Sequence, residues 1–277
     1  MQQKPLEILV TNDDGYTAKG INLLASMLTE YGNVTVVAPD QAQSGMSAAL
    51  SLGRPLRLYQ RSFETCNNGN RLEVYSLTGS PADCLKMAMN KFYGAGGSEV
   101  MTRDSIERGY KPDIIFSGIN HGSNASVASV YSGTLGAAAE GALYGVKSVG
   151  LSIDTHNPNP DFETIKDYLK KVIEMAINNN IPEGTYLNVN FPAIAGEDIK
   201  GVKFAKQGDG MWLKEFEQRR DPYGKDYYWM TGVFVDKEPQ AMGDHNLVAQ
   251  GYITIVPHKI DTTNYELLQK METEWVL

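Results

Sequence analysis

The sequence predicts a Rossmann-like α/β fold: a mostly parallel sheet with helices on both faces, extended at its C-terminal end by a β-hairpin. Three observations support this. Short apolar runs rich in β-branched residues recur along the first two-thirds of the chain. These runs are continuous rather than alternating, as expected of strands covered on both sides, and helical periodicities fill the intervals between them. Beyond about residue 185 the pattern changes to aromatic-rich runs flanking a turn.

The first run, LEILVT at 6–11, passes straight into NDDG. Ile21, Leu24, Met27, Leu28 and Tyr31 then recur at helical spacing. Strands follow at 33–39 (NVTVVAP) and 71–77. The segment SPADCLKMAMNKFY opens a helix with Ser80 as N-cap, Pro81 at the first helical position and Asp83 closing a capping box. A fourth strand is expected at 112–118 (PDIIFSG) and a fifth at 147–153 (KSVGLSI), with an Ala-rich helix between them in YSGTLGAAAEGALYG. Phe162, Ile165, Leu169, Val172, Ile173 and Ala176 mark another amphipathic helix. TYLNVNFP and GYITIVPH read as strands, a PYGK turn between aromatic runs marks a hairpin, and YELLQKMETEW suggests a final short helix. The expected division is a catalytic core over 1–190 and an extension over 191–277, with the hairpin arm at about 212–235. The arm carries more Trp, Tyr and Phe than a solvated hairpin tolerates, which suits a subunit interface.

The chain has 277 residues, 42% hydrophobic and 21% charged, enough for one large core. No apolar run approaches the roughly 20 residues of a membrane helix, and MQQKPLEILV lacks the basic, apolar and small-residue succession of a leader, so a cytoplasmic location is expected. A formal charge of −8 argues against a nucleic-acid polymer as partner and leaves room for a small anionic substrate. Cys66 and Cys84 have no CxxC spacing, so neither a thiolate zinc site nor a disulfide framework is indicated. His121, His156, His245 and His258 form no HExxH pair; there is also no P-loop and no GxSxG nucleophile elbow.

In an open parallel sheet the ligand lies outside the carboxyl ends of the strands, and right-handed crossovers put those loops on one edge. The exits are polar in this chain: Asn12, Asp13 and Asp14 after the first strand, Asp40 and Ser44 after the second, TGSPAD after the third, Asn120, His121 and Asn124 after the fourth. Two adjacent carboxylates repel each other unless something positive sits beside them. With a hydroxyl and an amide oxygen they form an all-oxygen set suited to a hard divalent cation such as Mg²⁺, Mn²⁺ or Ca²⁺. Ser132, Gly133 and Thr134 open the Ala-rich helix, whose first-turn N–H groups and dipole can hold a phosphate. A cation beside an anion cradle points to phosphoryl chemistry.

ILVTNDDG, VVAPD with Ser44, TGSPADC, SGIN and YSGT, in that order, resemble the motifs of the SurE family of stationary-phase survival proteins, and the DPYGKDYYWMTG hairpin is similar to that family's C-terminal region. The resemblance runs nearly end to end. It implies a metal-dependent 5′/3′-nucleotidase that takes a small nucleotide and one divalent ion per subunit, Mg²⁺ or Mn²⁺. It further implies that Asp13, Asp14, Ser44 and Asn120 bind the metal, that Asn12, Ser132, Gly133 and Thr134 meet the substrate, and that the C-terminal hairpin is exchanged in a homodimer or homotetramer. Asp13 and Asp14 are the catalytic candidates; Asp13 orients or deprotonates the attacking water, or attacks directly. The chain departs from the family in NHGSNASVASVYSGT, where Ser123 and Ala128 stand at positions that commonly hold Pro and Asp. Two other classes are kept beside this reading: a receiver-like, Mg²⁺-dependent phospho-accepting module, and a nucleotide-binding protein without turnover.

Overall fold

The computed structural model describes residues 4–94, 111–155, 157 and 159–275. Its strands are β1 (Leu6–Thr11), β2 (Gly32–Pro39), β3 (Leu58–Thr65), β4 (Arg71–Leu77), β5 (Ile114–His121), β6 (Lys147–Asp154), β7 (Thr185–Pro192), β8 (Val202–Phe204), β9 (Gly210–Leu213), β10 (Phe216–Arg220), β11 (Asp226–Met230), β12 (Val233–Asp236) and β13 (Ile253–Lys259). The helices, labelled in chain order, are α1 (Lys19–Leu28), α2 (Pro81–Phe92), α3 (Gly133–Leu143), α4 (Lys166–Asn178), α5 (Asp244–Ala249) and α6 (Tyr265–Glu274). Nine strands share one sheet in the order β3-β4-β2-β1-β5-β6-β7-β13-β8. Its central strands are parallel, while β3 pairs antiparallel with β4 and β13 antiparallel with β7.

The apolar runs become the buried strands because both of their faces are covered. On one face Ile8, Val10 and Phe116 pack against Ile21, Leu24 and Leu28 of α1, within the same core as Leu169, Val172 and Ile173 of α4. On the other, Leu9, Val37 and Ile115 meet Cys84, Leu85 and Met89 of α2. Burying each such side chain contributes roughly 1.5–3 kcal/mol. The α2 start follows its sequence signals: Ser80 accepts from Asp83 N, Asp83 accepts from Ser80 N at 2.9 Å, and Pro81 occupies the first turn.

Two differences from the sequence reading stand out. Strand β3 was not expected; seven of its eight residues are exposed, so no hydrophobic pattern marks it and only its pairing with β4 makes it a strand. The fourth run was expected to end at 118, with Asn120 and His121 in a loop. Instead β5 continues through both: after a register shift beyond Ser117, Asn120 pairs with Ser152 and His121 with Ile153 of β6. His156 lies outside the described residues. The hairpin forms as β10–β11 around Asp221–Lys225, carried on a second ribbon of β9 and β12.

From β1 the chain winds outward through β2 to β4, then returns to the other side of β1 and continues through β5, β6 and β7. The switch point therefore falls between β1 and β5, where the loops at the carboxyl ends diverge and where open α/β sheets bind their ligands. Asp13 and Asp14 follow β1, and Asn120 and His121 end β5, which puts the acidic motif at that switch point.

Ser80 also donates to the carbonyl of Ala49, so its hydroxyl serves the helix cap and the Ser44–Ser51 loop together. Replacing Ser80 with Ala is expected to lower the unfolding free energy in urea by about 0.5–2 kcal/mol, the range for losing an N-cap.

Candidate active site

The NDDG turn is shaped by Asn12. Its side chain is fully buried; Nδ2 donates to the carbonyl of Gly15 at 3.0 Å and Oδ1 accepts from Gly15 N at 3.2 Å. Gly15 closes the clasp at φ +93°, a conformation that suits glycine. Both ends of the Asn12 amide are thus occupied, so this residue, expected at the substrate, builds the turn that aims its two neighbours.

Asp13 is 3% exposed. Its Oδ1 accepts the hydroxyl of Thr134 at 2.6 Å, and its main-chain carbonyl accepts Gln43 N at 2.6 Å. A Cβ added to Gly133 would lie 2.9 Å from Asp13 Cβ and 3.1 Å from Oδ2, so the first turn of α3 approaches this carboxylate as only glycine permits. Ser132 caps the same helix, accepting from Leu135 N at 3.0 Å. The N–H groups of Gly133 and Thr134 belong to the turn that a helix leaves without internal acceptors. The carboxylate pair and the helix start, read as separate features in the sequence, form one buried contact.

Asp14 is half-buried and its Oδ2 accepts His121 N at 3.0 Å, which ties the end of β1 to the end of β5. Asn120 is 9% exposed and spends its Nδ2 on the carbonyl of Gly122 at 2.8 Å, so that its Oδ1 is the end left for another partner. Ser44 is exposed and has no hydrogen bond to Asp13, Asp14 or Asn120 among the described residues; it follows Gln43, whose N–H is on Asp13. Its loop is held further along, where Ser47 donates from N to the carbonyl of Tyr131 at 3.1 Å and from Oγ to that of Val130 at 2.9 Å. Sequence reasoning missed Ser47, because its φ of +50° and its long-range partners leave no local pattern. Ser123 bends the chain locally, accepting from Ala125 N at 3.4 Å, and Ala128 lies within the short 3₁₀ turn at Ser126–Val130.

Burial pushes the Asp13 carboxyl up to about 6; the Thr134 bond opposes this, and the charge of Asp14 adds to it. Asp14 is raised by burial as well, against the His121 N–H. The His121 ring packs on Phe162 with centroids 5.3 Å apart, and burial holds it below its ordinary value, with Asp13 pulling the other way. Among the described residues neither Asp13 nor Asp14 has a Lys, Arg or His ion-pair partner, and no three His, Cys, Asp or Glu side chains converge. The donors gathered at this strand edge are therefore oxygens, two of them on carboxylates without an ion-pair partner among the described residues, a set that fits a hard divalent cation and not zinc or copper.

The family model described as "Survival protein SurE" matches residues 8–214 of the chain. The chain belongs to the SurE family. It is 39% identical over 272 residues to the 5′-nucleotidase SurE of Cytophaga hutchinsonii, covering 98% of this chain and 97% of that protein. It is 40% identical over 268 residues to the 5′-nucleotidase SurE of Flavobacterium psychrophilum, covering 97% and 96%. The crystal structure of the SurE protein from Aquifex aeolicus superposes with a TM-score of 0.73 at 33% identity, over 96% of this chain and 98% of that one. The α/β architecture expected from the sequence is thus that of a SurE protein. The receiver-like alternative loses its phospho-acceptor: Asp83, at the third strand's exit, caps α2 and accepts from Ser51 N at 3.1 Å.

The Asp13 environment has a measurable consequence in metal-free protein. A carboxyl that ionises near 6 when folded and 3.8 when unfolded favours unfolding as pH rises between those values. Stability is expected to fall by about 2 kcal/mol from pH 4 to pH 7 through this group. In chelator, urea denaturation of Asp13→Asn should lack this decline and leave the variant more stable than wild type at pH 7; equal stabilities there would refute the assignment.

Proposed function

We propose that this protein is a divalent-metal-dependent phosphomonoesterase that hydrolyses nucleoside 5′- and 3′-monophosphates to nucleoside and phosphate. The observation that carries the reading is the bond between Thr134 and Asp13, because it joins the first turn of α3, whose N–H groups can take an anion, to a carboxylate pair with no ion-pair partner among the described residues. Full-length relatives named 5′-nucleotidase SurE support the nucleotide substrate.

One ion per subunit, Mg²⁺ or Mn²⁺, would be held by Asp13, Asp14, Ser44 and Asn120. When bound, such an ion neutralises phosphoryl charge and lowers the pKa of water. The chain's own residues do the positioning. Ser132, Gly133 and Thr134 receive the phosphate at the positive end of α3. Thr134 fixes Oδ1 of Asp13, which leaves Oδ2 on the Gly133 side to orient the attacking water and take its proton. Asp14, locked by His121 N, adds the second negative charge that makes a cation favourable there. The same reading places the protein in the cytoplasm, where its free Cys66 and Cys84 stay reduced.

The subunit arrangement belongs to this proposal too. All residues of β10 and β11 are exposed, including Phe216 at 63%, Trp229 at 60% and Met230 at 75%, and α6 has no buried residue. So large an apolar area on an arm suits exchange with another copy, in a homodimer or homotetramer.

Phosphate release from a nucleoside monophosphate panel should need Mg²⁺ or Mn²⁺ and stop in chelator. Asp13→Asn should lower kcat at least about 100-fold, the lower end for losing a positioned acid or base. Turnover that persists in chelator, or near-normal turnover of Asp13→Asn, would overturn the reading. Separately, Trp229→Glu should reduce the mass seen by light scattering to that of a smaller assembly; an unchanged mass would remove the arm from the interface.

A further inference from the structure

Asp244, at the start of α5, is completely buried, yet no Lys or Arg is paired with it among the described residues, and the nearest basic atom is His245 Nδ1 at 3.8 Å. Its charge is met by backbone N–H groups. Oδ1 accepts from Ser126 N at 3.0 Å, Gly208 N at 2.9 Å and His245 N at 2.9 Å, and Oδ2 from Ser126 N at 3.1 Å. Burying a carboxylate is costly unless such donors replace its water, so three N–H groups committed to one side chain mark a designed junction.

What the junction holds is the approach to the cradle. Ser126 is 1% exposed and sits at φ +55°, a left-handed conformation that a residue with a Cβ adopts only when its surroundings impose it. Its hydroxyl donates to the Gly208 carbonyl at 3.0 Å. Two residues earlier the chain is fixed from the sheet: Asn124 N donates to Asn190 Oδ1 at 2.8 Å, Asn124 Nδ2 to Ser152 Oγ at 2.8 Å, and Asn188 Nδ2 to the Asn124 carbonyl at 2.9 Å. From Ser126 the 3₁₀ turn runs directly to Tyr131 and to Ser132, the cap of α3. The other side of the junction is the root of the arm, since Gly208 precedes β9 and Asp244 follows β12.

We propose that Asp244 is a positioning residue of the phosphate cradle. By holding Ser126 in its left-handed turn, it sets where the Ser132–Thr134 turn stands relative to Asp13, and it anchors the root of the C-terminal arm to the same point. This role rests on the reading that Ser132–Thr134 receive phosphate. Asp244 touches neither substrate nor metal in it.

The test uses the full-length protein with saturating Mg²⁺ or Mn²⁺ and two variants. Asp244→Asn keeps the shape and removes the charge; Gly208→Ala keeps the charge and forces a Cβ against His245 at the junction. Both should raise KM for a nucleoside monophosphate, and the inhibition constant of inorganic phosphate, by about tenfold, as expected for weakening bonds to a charged group. The turnover number and the ion concentration for half-maximal activity should change less than about threefold, a split that general damage would not produce. Ser126→Gly added to Asp244→Asn should recover at least half of the loss in phosphate affinity, because glycine holds the turn without help. Near wild-type KM and phosphate inhibition in Gly208→Ala would overturn the role, also where Asp244→Asn fails to fold. Loss confined to turnover or to ion dependence, or no recovery with Ser126→Gly, would overturn it as well. Failure of the functional reading shows instead in the wild-type protein, as no phosphate release and no phosphate inhibition, and it removes the cradle and this role together.

Discussion

A carboxylate almost without solvent, with no Lys, Arg or His ion-pair partner among the described residues, is the constraint around which this candidate site is built. Asp13 cannot be ionised cheaply where the fold puts it, and Asp14 next to it makes ionisation harder. Stability alone would favour an apolar residue there. On the metal-dependent reading proposed above, a divalent cation held beside the pair would offset that cost. The Thr134 hydroxyl satisfies one oxygen of Asp13 and leaves the other free, which keeps the pair poised and not quenched.

The second theme is that loops at this edge are fastened to one another more than to solvent. Ser80 caps α2 and also reaches Ala49; Asp83 closes the capping box and also reaches Ser51. Ser47 ties the Ser44 loop to Val130 and Tyr131, just before the Ser132 cap of α3. Ser80 and Asp83 each perform a local task recognisable from sequence and a distant one that is not, while Ser47 performs only a distant one. The result is a rim in which the loops after β1, β2, β4 and β5 hold common positions. Catalysis by charge neutralisation depends on such preorganisation, because donors already in place need not be reorganised as charge develops.

The C-terminal portion has two characters. Strands β8 and β13 complete the main sheet, with β13 pairing along Thr185–Asn190 of β7. The β9–β12 ribbon and its hairpin, by contrast, expose most of their aromatic side chains, Phe216, Tyr228 and Trp229 among them, and only Phe234 is half-buried. Asp236 is bonded to Asn246 at 2.7 Å and lies 3.0 Å from His245 Nε2, so the ribbon's end is attached to α5 and, through its first residue, to the turn before the cradle. Arm and site are therefore mechanically close although far apart in sequence.

Much was legible in advance, and the reason is that it is local. Continuous apolar runs such as LEILVT and PDIIFSG become covered strands by composition, and the Ser80–Asp83 box starts a helix wherever it occurs. Which strand ends carry polar residues is likewise written in order along the chain, so the cluster of Asp13, Asp14, Asn120 and Ser132–Thr134 at one rim could be anticipated. The family motifs agreed with it. Strand β3 escaped notice because its exposed residues have no buried face to impose a period.

What sequence could not decide was the role of each polar group among its neighbours. Asn12 and Thr134 both lie in motifs that suggest substrate contact, yet one turns inward to shape its own loop and the other bonds to Asp13. Asn120 belongs to a strand because β6 supplies its pairing partner, and Asp244 matters because the fold delivers Ser126 and Gly208 to it across 118 and 36 positions of chain. The sequence by itself determined most of the core strands and helices and which strand exits carry polar residues, since both follow from short-range patterns. Only the tertiary structure decided which hydrogen bonds each buried side chain would make, since those partners exist only after distant segments have packed together.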